Sequence, residues 1–410
     1  MNHNLNFTVE YGVLGKKTKK ITSQFRIDDI EAVIGDRGMT VKRIKIPFKS
    51  FVKNFAIGFA KALGSADTAG LKNPNNASVA ASTCIGVSEG AITVTHSRKG
   101  IWVGDKAANS VNAASISAVT ASTIDSFLTG NVGESVEKND LWLRRRIEAS
   151  SASVATKVSY GAVGFEILSE SSFRLKRRFF NSRGTSIKIA EVGLGAGYDN
   201  AKWMDESSIL FARDMFQTSI TLEDQQYLDI YYTFSLSETG YLTSNFLYMF
   251  ANMLRSNSSS SFSTVHTLKD RLGAWQTSNN AYTVKGAADD SEVGIQLGSG
   301  FRSTIPFSAY KLNTEIGNTV LDRSAVLFID EFETGSASTK FGFQRDFTNI
   351  SANTVTVNEG GLSNAPSAVG KAVYIAYYPI DAVVDPNDVL RVKIYFEMPV
   401  SERNYITLET

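Results

Sequence analysis

The residues of this chain that could do chemistry are few, and their spacing decides what they can do. There are three histidines, His3, His96 and His266, and one cysteine, Cys84. None of the histidines has a Cys, a second His or a carboxylate at metal-ligand spacing, so no zinc site is expected. His266 sits four residues before Asp270, but no nucleophile-elbow frame surrounds it, and a Ser-His-Asp site is not expected there. Carboxylates gather at Asp289-Asp290 and at Asp330-Glu331-Phe332-Glu333. Paired carboxylates can serve acid–base chemistry or hold calcium. Neither run alternates Asp and Asn around a central Gly, so they read as a solvated turn and a polar strand face. Gly193-Leu-Gly-Ala-Gly197 has the glycine content of a phosphate loop but lacks its Lys-Ser/Thr, and reads as a turn after a strand. No catalytic residue, metal ligand or cofactor is therefore expected, and the chain reads as non-enzymatic.

The cations are more suggestive. They cluster at Lys16-Lys17-Thr18-Lys19-Lys20, at Arg144-Arg145-Arg146, and at Arg174-Leu-Lys-Arg-Arg178, the last bracketed by Phe173 and Phe179-Phe180. Interleaved cations and aromatics can grip phosphates or stack bases. With a net charge of +1, however, no whole-chain field draws the protein onto nucleic acid. Arg144, Arg145, Arg146, Arg174, Lys176, Arg177 and Arg178 are therefore expected to face a protein partner, in preference to direct nucleic-acid contact.

The elements that must position these residues are mostly strands. Seven Pro, 25 Phe and 15 Tyr, with abundant Val, Ile and Thr, favour strand over helix. Strands are expected near 5–11, 40–48, 91–95, 158–168, 185–194, 226–236, 293–297, 325–332, 353–358, 372–378 and 388–398. Helices are expected at 50–63, at 241–254 and at 205–216. One cysteine excludes an internal disulfide framework. With no run of 18 apolar residues and no apolar stretch after the first charges, a soluble protein made in cytoplasm is expected, without a membrane partner.

The chain also resembles itself. Phe179–Leu194 and Phe347–Leu362 align without a gap at an offset of 168, sharing Phe179/Phe347, Asn181/Asn349, Glu191/Glu359, Gly193/Gly361 and Leu194/Leu362. Thr221–Leu236 aligns with Val383–Met398 at an offset of 162, with Leu228/Leu390, Ile230/Val392 and Phe234/Phe396 on alternate positions. Asn54–Leu63 aligns with Asn245–Leu254 at an offset of 191, keeping Phe55/Phe246 and Phe59/Phe250 at helical spacing. Ile85-Gly86-Val87 is matched, more weakly, with Val293-Gly294-Ile295. Ordered self-similarity of this kind is the mark of an internal repeat. The expected plan is an N-terminal arm (1–38), a first β-sandwich module (39–236) with an insertion at about 100–157, a second, diverged module (237–400) and a short tail (401–410). The fold class is mainly β, with tandem duplicated, jelly-roll-like sandwich modules and a few short helices. Glu191, Gly193, Leu194, Glu359, Gly361 and Leu362 are the structural residues of the repeat.

Ile189-Ala-Glu-Val-Gly-Leu194, then Leu210-Phe-Ala-Arg-Asp214, then Ile220-Thr-Leu and Tyr227-Leu-Asp-Ile-Tyr-Tyr-Thr-Phe234 resemble a pattern in virion structural proteins of tailed bacteriophages. The resemblance covers about 40–255 and extends weakly to 400. It implies a β-sandwich building block of the neck, collar or tail, or of a capsid-attached fibre. It also implies a symmetric homo-oligomer, a ring or a trimer, assembled in the host bacterial cytoplasm with portal, adaptor, tail or capsid proteins as partners. A receptor- or glycan-binding fibre or decoration protein, using Trp102, Trp142, Trp203 and Trp275 as aromatic platforms, is the alternative.

Overall fold

Alternation along the strands sets the layers. In Val389–Glu397, Leu390, Val392, Ile394 and Phe396 are buried, while Val389, Arg391 and Lys393 are half-buried on the other face. The same period runs through Ser172–Phe180, where Phe173, Leu175, Arg177 and Phe179 point inward. The computed structural model describes residues 5–27, 30–46, 51, 53–63, 71–72, 78–79, 87–88, 91–92, 98–104, 149–150, 158–161, 164–197, 209–236, 240–247, 250, 267–269, 275–277, 294–300, 311–330, 340–364 and 373–397. The fold is mainly β, almost wholly antiparallel and sandwich-like.

The chain enters as two hairpins, β1 (Leu5–Val13) with β2 (Lys19–Ile27) and β3 (Ile30–Asp36) with β4 (Met39–Ile46). Helix α1 (Lys53–Ala62) and strand β5 (Arg98–Gly104) follow. Next come β6 (Val158–Tyr160), β7 (Gly164–Ser169), β8 (Ser172–Phe180), β9 (Ile187–Gly197), β10 (Ile209–Leu222) and β11 (Gln226–Leu236). Residues 244–247 and 250 are helical, and β12 spans Gly294–Gly298. The last six are β13 (Leu321–Arg323), β14 (Leu327–Asp330), β15 (Lys340–Asn349), β16 (Val355–Asn364), β17 (Val373–Val384) and β18 (Val389–Glu397).

The two halves pair their strands alike. β8 takes β6 and β7 on one side and β11 on the other, as β15 takes β13, β14 and β18. β9 lies between β5 and β10, as β16 lies between β12 and β17. The irregularities coincide as well. The β9–β10 register slips between Ile189 and Glu191 and between Leu194 and Gly195, and the β16–β17 register slips between Val357 and Glu359 and between Leu362 and Ser363. A bulge changes the local twist, so shared bulges mean shared strand curvature.

Strands of both halves share one 13-stranded sheet, in which β8, β11, β2, β1, β18 and β15 are neighbours in that order. Residues 1–38 were expected to form an arm, but β1 pairs along most of β18 and β2 meets β11 at Phe234–Leu236. The same edge of β11 is taken over by β3 at Gln226–Tyr231. Leu5, Phe7, Val9, Tyr11 and Val13 are buried, an apolar alternation that an arm would leave in water.

Against the inner face of this sheet the two helical segments meet through phenylalanines. Phe55 packs on Phe250 with centroids 5.5 Å apart, and Phe59 packs on Phe246 at 5.8 Å. Because Phe55 matches Phe246 and Phe59 matches Phe250, these contacts are reciprocal, as across a two-fold axis. Phe59 and Phe250 also meet each other edge-on at 5.7 Å. From there Phe59 reaches Phe341 on β15 and Phe396 on β18, each at 5.5 Å, whereas Phe250 reaches Phe173 on β8 at 6.3 Å and Phe234 on β11 at 5.5 Å. Each helical segment is tied at its start to its own half, by bridges Phe51 to Ala212 and Leu242 to Ala376. Each then lays one ring, Phe59 or Phe250, on strands of the other half. One hydrophobic cluster holds buried residues of both halves.

Three local expectations change. Leu210–Asp214 is strand, not part of a helix over 205–216: Leu210, Phe211, Ala212, Arg213 and Asp214 are all buried, so neither period shows in the sequence. Gly193–Gly197 continues β9 instead of turning. The counterpart of β12 is β5, where Gly100-Ile101 and Gly104 pair with β9 as Gly294-Ile295 and Gly298 pair with β16. Of the Ile85-Gly86-Val87 match only Val87 lies within the described residues, and residues 100–104 form a strand of the three-stranded sheet with β9 and β10.

A shared core unfolds as a unit. Phe59→Ala and Phe250→Ala should each lower stability by about 3–5 kcal/mol, and denaturant unfolding followed by fluorescence and by circular dichroism should give one coincident transition. Two separated transitions would mean that the halves are independent.

Candidate functional site

The basic strand β8 and its neighbour β11 present a layered outer face. Arg174, Lys176 and Arg178 alternate with the inward apolar residues of β8, and Tyr227, Asp229 and Tyr231 do the same on β11. Arg178 stands directly opposite Asp229 and donates twice to its carboxylate, Nε to Oδ1 and Nη2 to Oδ2, each at 2.7 Å. Its guanidinium lies 4.0 Å from the ring centroid of Tyr227. Lys176 Nζ is 3.0 Å from Asp229 Oδ2 and 5.1 Å from the Tyr231 ring, which Arg174 approaches at 5.0 Å while donating to Glu166 at 2.6 Å. Tyr227 is seated over Gly35 of β3, where a Cβ would meet the ring at 2.0 Å.

Burial alone would raise the Asp229 carboxyl, but hydrogen bonds from Arg178 and Lys176 outweigh it and hold the group below the ordinary aspartate range. The bond that Arg178 donates to Asp229 correspondingly raises the Arg178 guanidinium. Arg177 departs from the expected interface. It points to the core side, donates from Nε to the Gly161 carbonyl at 2.9 Å and lies 4.2 Å over Tyr160. Burial lowers its guanidinium to about 10. Successive residues of a strand face opposite sides, so Arg177 points away from Lys176 and Arg178, and the four cations of this run cannot share one face. Arg144, Arg145 and Arg146 lie outside the described residues. In the first basic cluster Lys16 pairs with Asp385 and Asp388, Lys19 with Asp381 and Lys20 with Glu10, all at the surface.

The second half repeats this framework with the charges exchanged. Arg345, the counterpart of Arg177, donates from Nε to the Ser324 carbonyl at 2.8 Å. Asp346 stands where Arg178 stands, and Arg391 where Asp229 stands; they too are opposite each other and joined by two bonds, at 2.8 and 2.7 Å. The signal was available in the aligned offsets of 168 and 162 but concerns residues that differ, and identity matching passes over them.

The residues that do match are structural. Leu194 and Leu362 are buried in the core. Gly361 lies beneath the Tyr374 ring, 2.5 Å from where a Cβ would stand. Asn181 Nδ2 donates to the carbonyls of Thr185 and Leu222, and Asn349 Nδ2 to those of Asn353 and Val384. Each asparagine also accepts from a left-handed turn residue, Gln225 at φ 64° and Asn387 at φ 66°. Glu191 and Glu359 are both buried, but their partners differ: Glu191 accepts from Arg213 Nε at 2.7 Å, whereas Glu359 accepts from the Tyr377 hydroxyl and from the Thr314 amide. These bonds tie neighbouring strands and a loop together.

Among the described residues no three His, Cys, Asp or Glu side chains gather as metal ligands, and no helix is long and apolar enough to cross a membrane. Trp102 and Trp275 lie on strands, and Trp142 and Trp203 lie outside the described residues. Asp330 ends β14, while Glu331, Glu333, Asp289 and Asp290, with all three histidines and Cys84, lie outside them. No protein-family model matches this chain, and no curated protein or solved structure matches it.

The two glutamates should respond differently to neutralisation. Glu191→Gln removes the negative charge that faces a buried guanidinium and should cost about 3–5 kcal/mol; Glu359→Gln leaves neutral donors and should cost about 1–3 kcal/mol, both read by urea unfolding. The outer pair has a pH signature. Because the folded-state pKa of Asp229 is depressed, its contribution is full above the ordinary aspartate value and is lost as pH falls through the folded one. The stability gap between wild type and Asp229→Asn should therefore close on acidification below about pH 4, and a gap constant down to about pH 2 would remove the ion pair as its source.

Proposed function

We propose that this chain is an internally duplicated, non-enzymatic structural subunit of a tailed-phage virion. In this reading it forms a symmetric oligomer at the neck, collar or tail and contacts other virion proteins. One observation supports it above the others. The polar residues the halves hold in common, Asn181/Asn349 and Glu191/Glu359, are bonded within the scaffold, while the outer-face pair Arg178–Asp229 is exchanged for Asp346–Arg391. A shared scaffold with faces of altered polarity suits a subunit that must meet two different neighbours. The tailed-phage attribution comes from the Ile189–Leu194, Leu210–Asp214 and Tyr227–Phe234 resemblance.

The test is native mass spectrometry with electron microscopy of the purified chain and of virions from the host that encodes it. Rings or trimers, with copies in the particle at a multiple of three or six, are the expected outcome. A strict monomer absent from virions would overturn the proposal. A monomer that binds glycans tightly would favour the receptor-binding alternative.

A further inference from the structure

The basic outer face of β8 does not end at its neighbour β11. On β3, Gly35 stands opposite Tyr227, Val33 opposite Asp229 and Glu31 opposite Tyr231. On β4, Arg43 stands opposite Val33 and Lys45 opposite Glu31, both on the Ile46 side of the register shift between Ile34 and Gly35. Residues opposite one another across a ladder share a face. Arg43 and Lys45 therefore lie on the face that carries Arg174, Lys176 and Arg178. The two basic rows are separated by β11 and β3, about 14 Å at strand spacing. Between them lie Asp229, bound by Arg178 and Lys176, and Glu31, bound by Arg43 at 2.6 Å. Counting Glu166, which Arg174 holds, three carboxylates meet five cations, and the face keeps a surplus of positive charge. The fold does not need that surplus. In the second half Gly342, Gln344 and Asp346 stand where Arg174, Lys176 and Arg178 stand, opposite Tyr395, Lys393 and Arg391. On that face β15 carries one cation, Lys340, yet it pairs along β18 as β8 does along β11.

We propose that these two basic rows, Arg174, Lys176 and Arg178 on β8 with Arg43 and Lys45 on β4, dock the acidic surface of a different protein. The proposal rests on the assembly reading above and gives the chemistry of one neighbour. A second copy does not supply that surface at its equivalent face, where Arg391, Lys393 and Lys20 outnumber Asp346 and Glu10. Nucleic acid fits less well, on two counts. A base stacks on a free aromatic face, but the Tyr227 ring lies between Gly35 and the Arg178 guanidinium. The Tyr231 ring is likewise approached by Arg174 at 5.0 Å and by Lys176 at 5.1 Å. A phosphate backbone spanning both rows would also pass over Asp229 and Glu31. A protein can instead place carboxylates opposite the rows and neutral or basic groups opposite the centre. Ion pairs and ring contacts already hold Arg174, Lys176 and Arg178, which lowers the ordering cost of docking.

The test uses the full chain and a fluorescent peptide of alternating Glu and Thr, whose carboxylates, when it is extended, repeat at the same strand spacing as the cations of β8. Anisotropy titrations are made at about 0.1 M salt, where charges more than about 10 Å from the peptide are largely screened. Saturable binding is expected. It should weaken by at least about tenfold when Arg174, Lys176, Arg43 and Lys45 are all changed to Gln, each row accounting for part of the loss. Lys393→Gln with Lys20→Gln, on the equivalent face of the second half, should alter it by less than about twofold. Thermal unfolding reports whether each variant keeps its fold, and Lys45→Gln alone, at an exposed side chain, decides the matter should the fourfold variant unfold. Single-stranded and duplex DNA of equal charge should bind more weakly than the peptide. No saturable binding of the peptide, an equal loss in the second-half variant, or tighter binding of either DNA would overturn the proposal and leave the assembly reading standing. A strict monomer absent from virions would overturn that reading, whatever the peptide does.

Discussion

The crossing of Phe59 and Phe250 is the contact on which the rest of the structure depends. Two edge-on rings 5.7 Å apart sit where the equivalent helical segments meet, and each ring reaches strands of the opposite half. An edge-to-face pair contributes about 0.5–1.5 kcal/mol beyond the area it buries. The larger effect is topological. Phe51 and Leu242 fix each segment to its own half, so the rings can reach across only if the two halves are held at one relative position. The hairpin β1–β2 enforces that position from the other side of the core, joining β18 through β1 and β11 through β2. Helical rings inside and a hairpin in the sheet therefore fasten the same seam twice.

Around that seam the two halves tolerate different chemistry at matched positions, and the pattern follows burial. Where a side chain satisfies backbone groups in the interior, as Asn181 and Asn349 do, a change would orphan several buried groups at once, and the residue is the same in both. Where a buried carboxylate needs a side-chain donor, an Arg or a Tyr serves, and Glu191 accepts from Arg213 where Glu359 accepts from Tyr377. On the outer face a bidentate pair works in either orientation, so Arg178–Asp229 and Asp346–Arg391 have opposite polarity with nearly the same geometry.

Much of this was legible in the sequence where the period was clean. Gln226–Leu236, with one face buried, was expected at its observed limits, and β18 within a residue. The phenylalanine helices and the matched Glu-x-Gly-Leu strands were legible because the same residues recur at fixed offsets. What failed to show has a physical reason in each case. β10 is buried on both faces around Leu210–Asp214, so it carries no alternation and was read as helix. In β8 the four cations were read as one interface, but Arg177 points inward, because a strand turns successive residues to opposite faces. Pairing between β1 and β18 spans nearly the whole chain, and no local pattern reports a partner that distant.

A pair of equivalent halves in one chain has a freedom that two identical chains lack. In a true two-fold dimer every residue appears twice, so a substitution that suits one surface is imposed on the other. Two halves within one chain are free of that constraint, and here Phe55, Phe59, Phe246 and Phe250 nevertheless meet reciprocally. The exchanged pair Arg178–Asp229 and Asp346–Arg391 is an outcome that only a linked pair can reach: identical subunits could carry one polarity or the other, never both. The β3–β4 hairpin goes further. It pairs with the edge of β11 beyond β2, whereas the matching edge of β18 is taken along its length by β1. The symmetry holds in the core, where packing requires it, and lapses at the edge, where two hairpins share β11 and one borders β18.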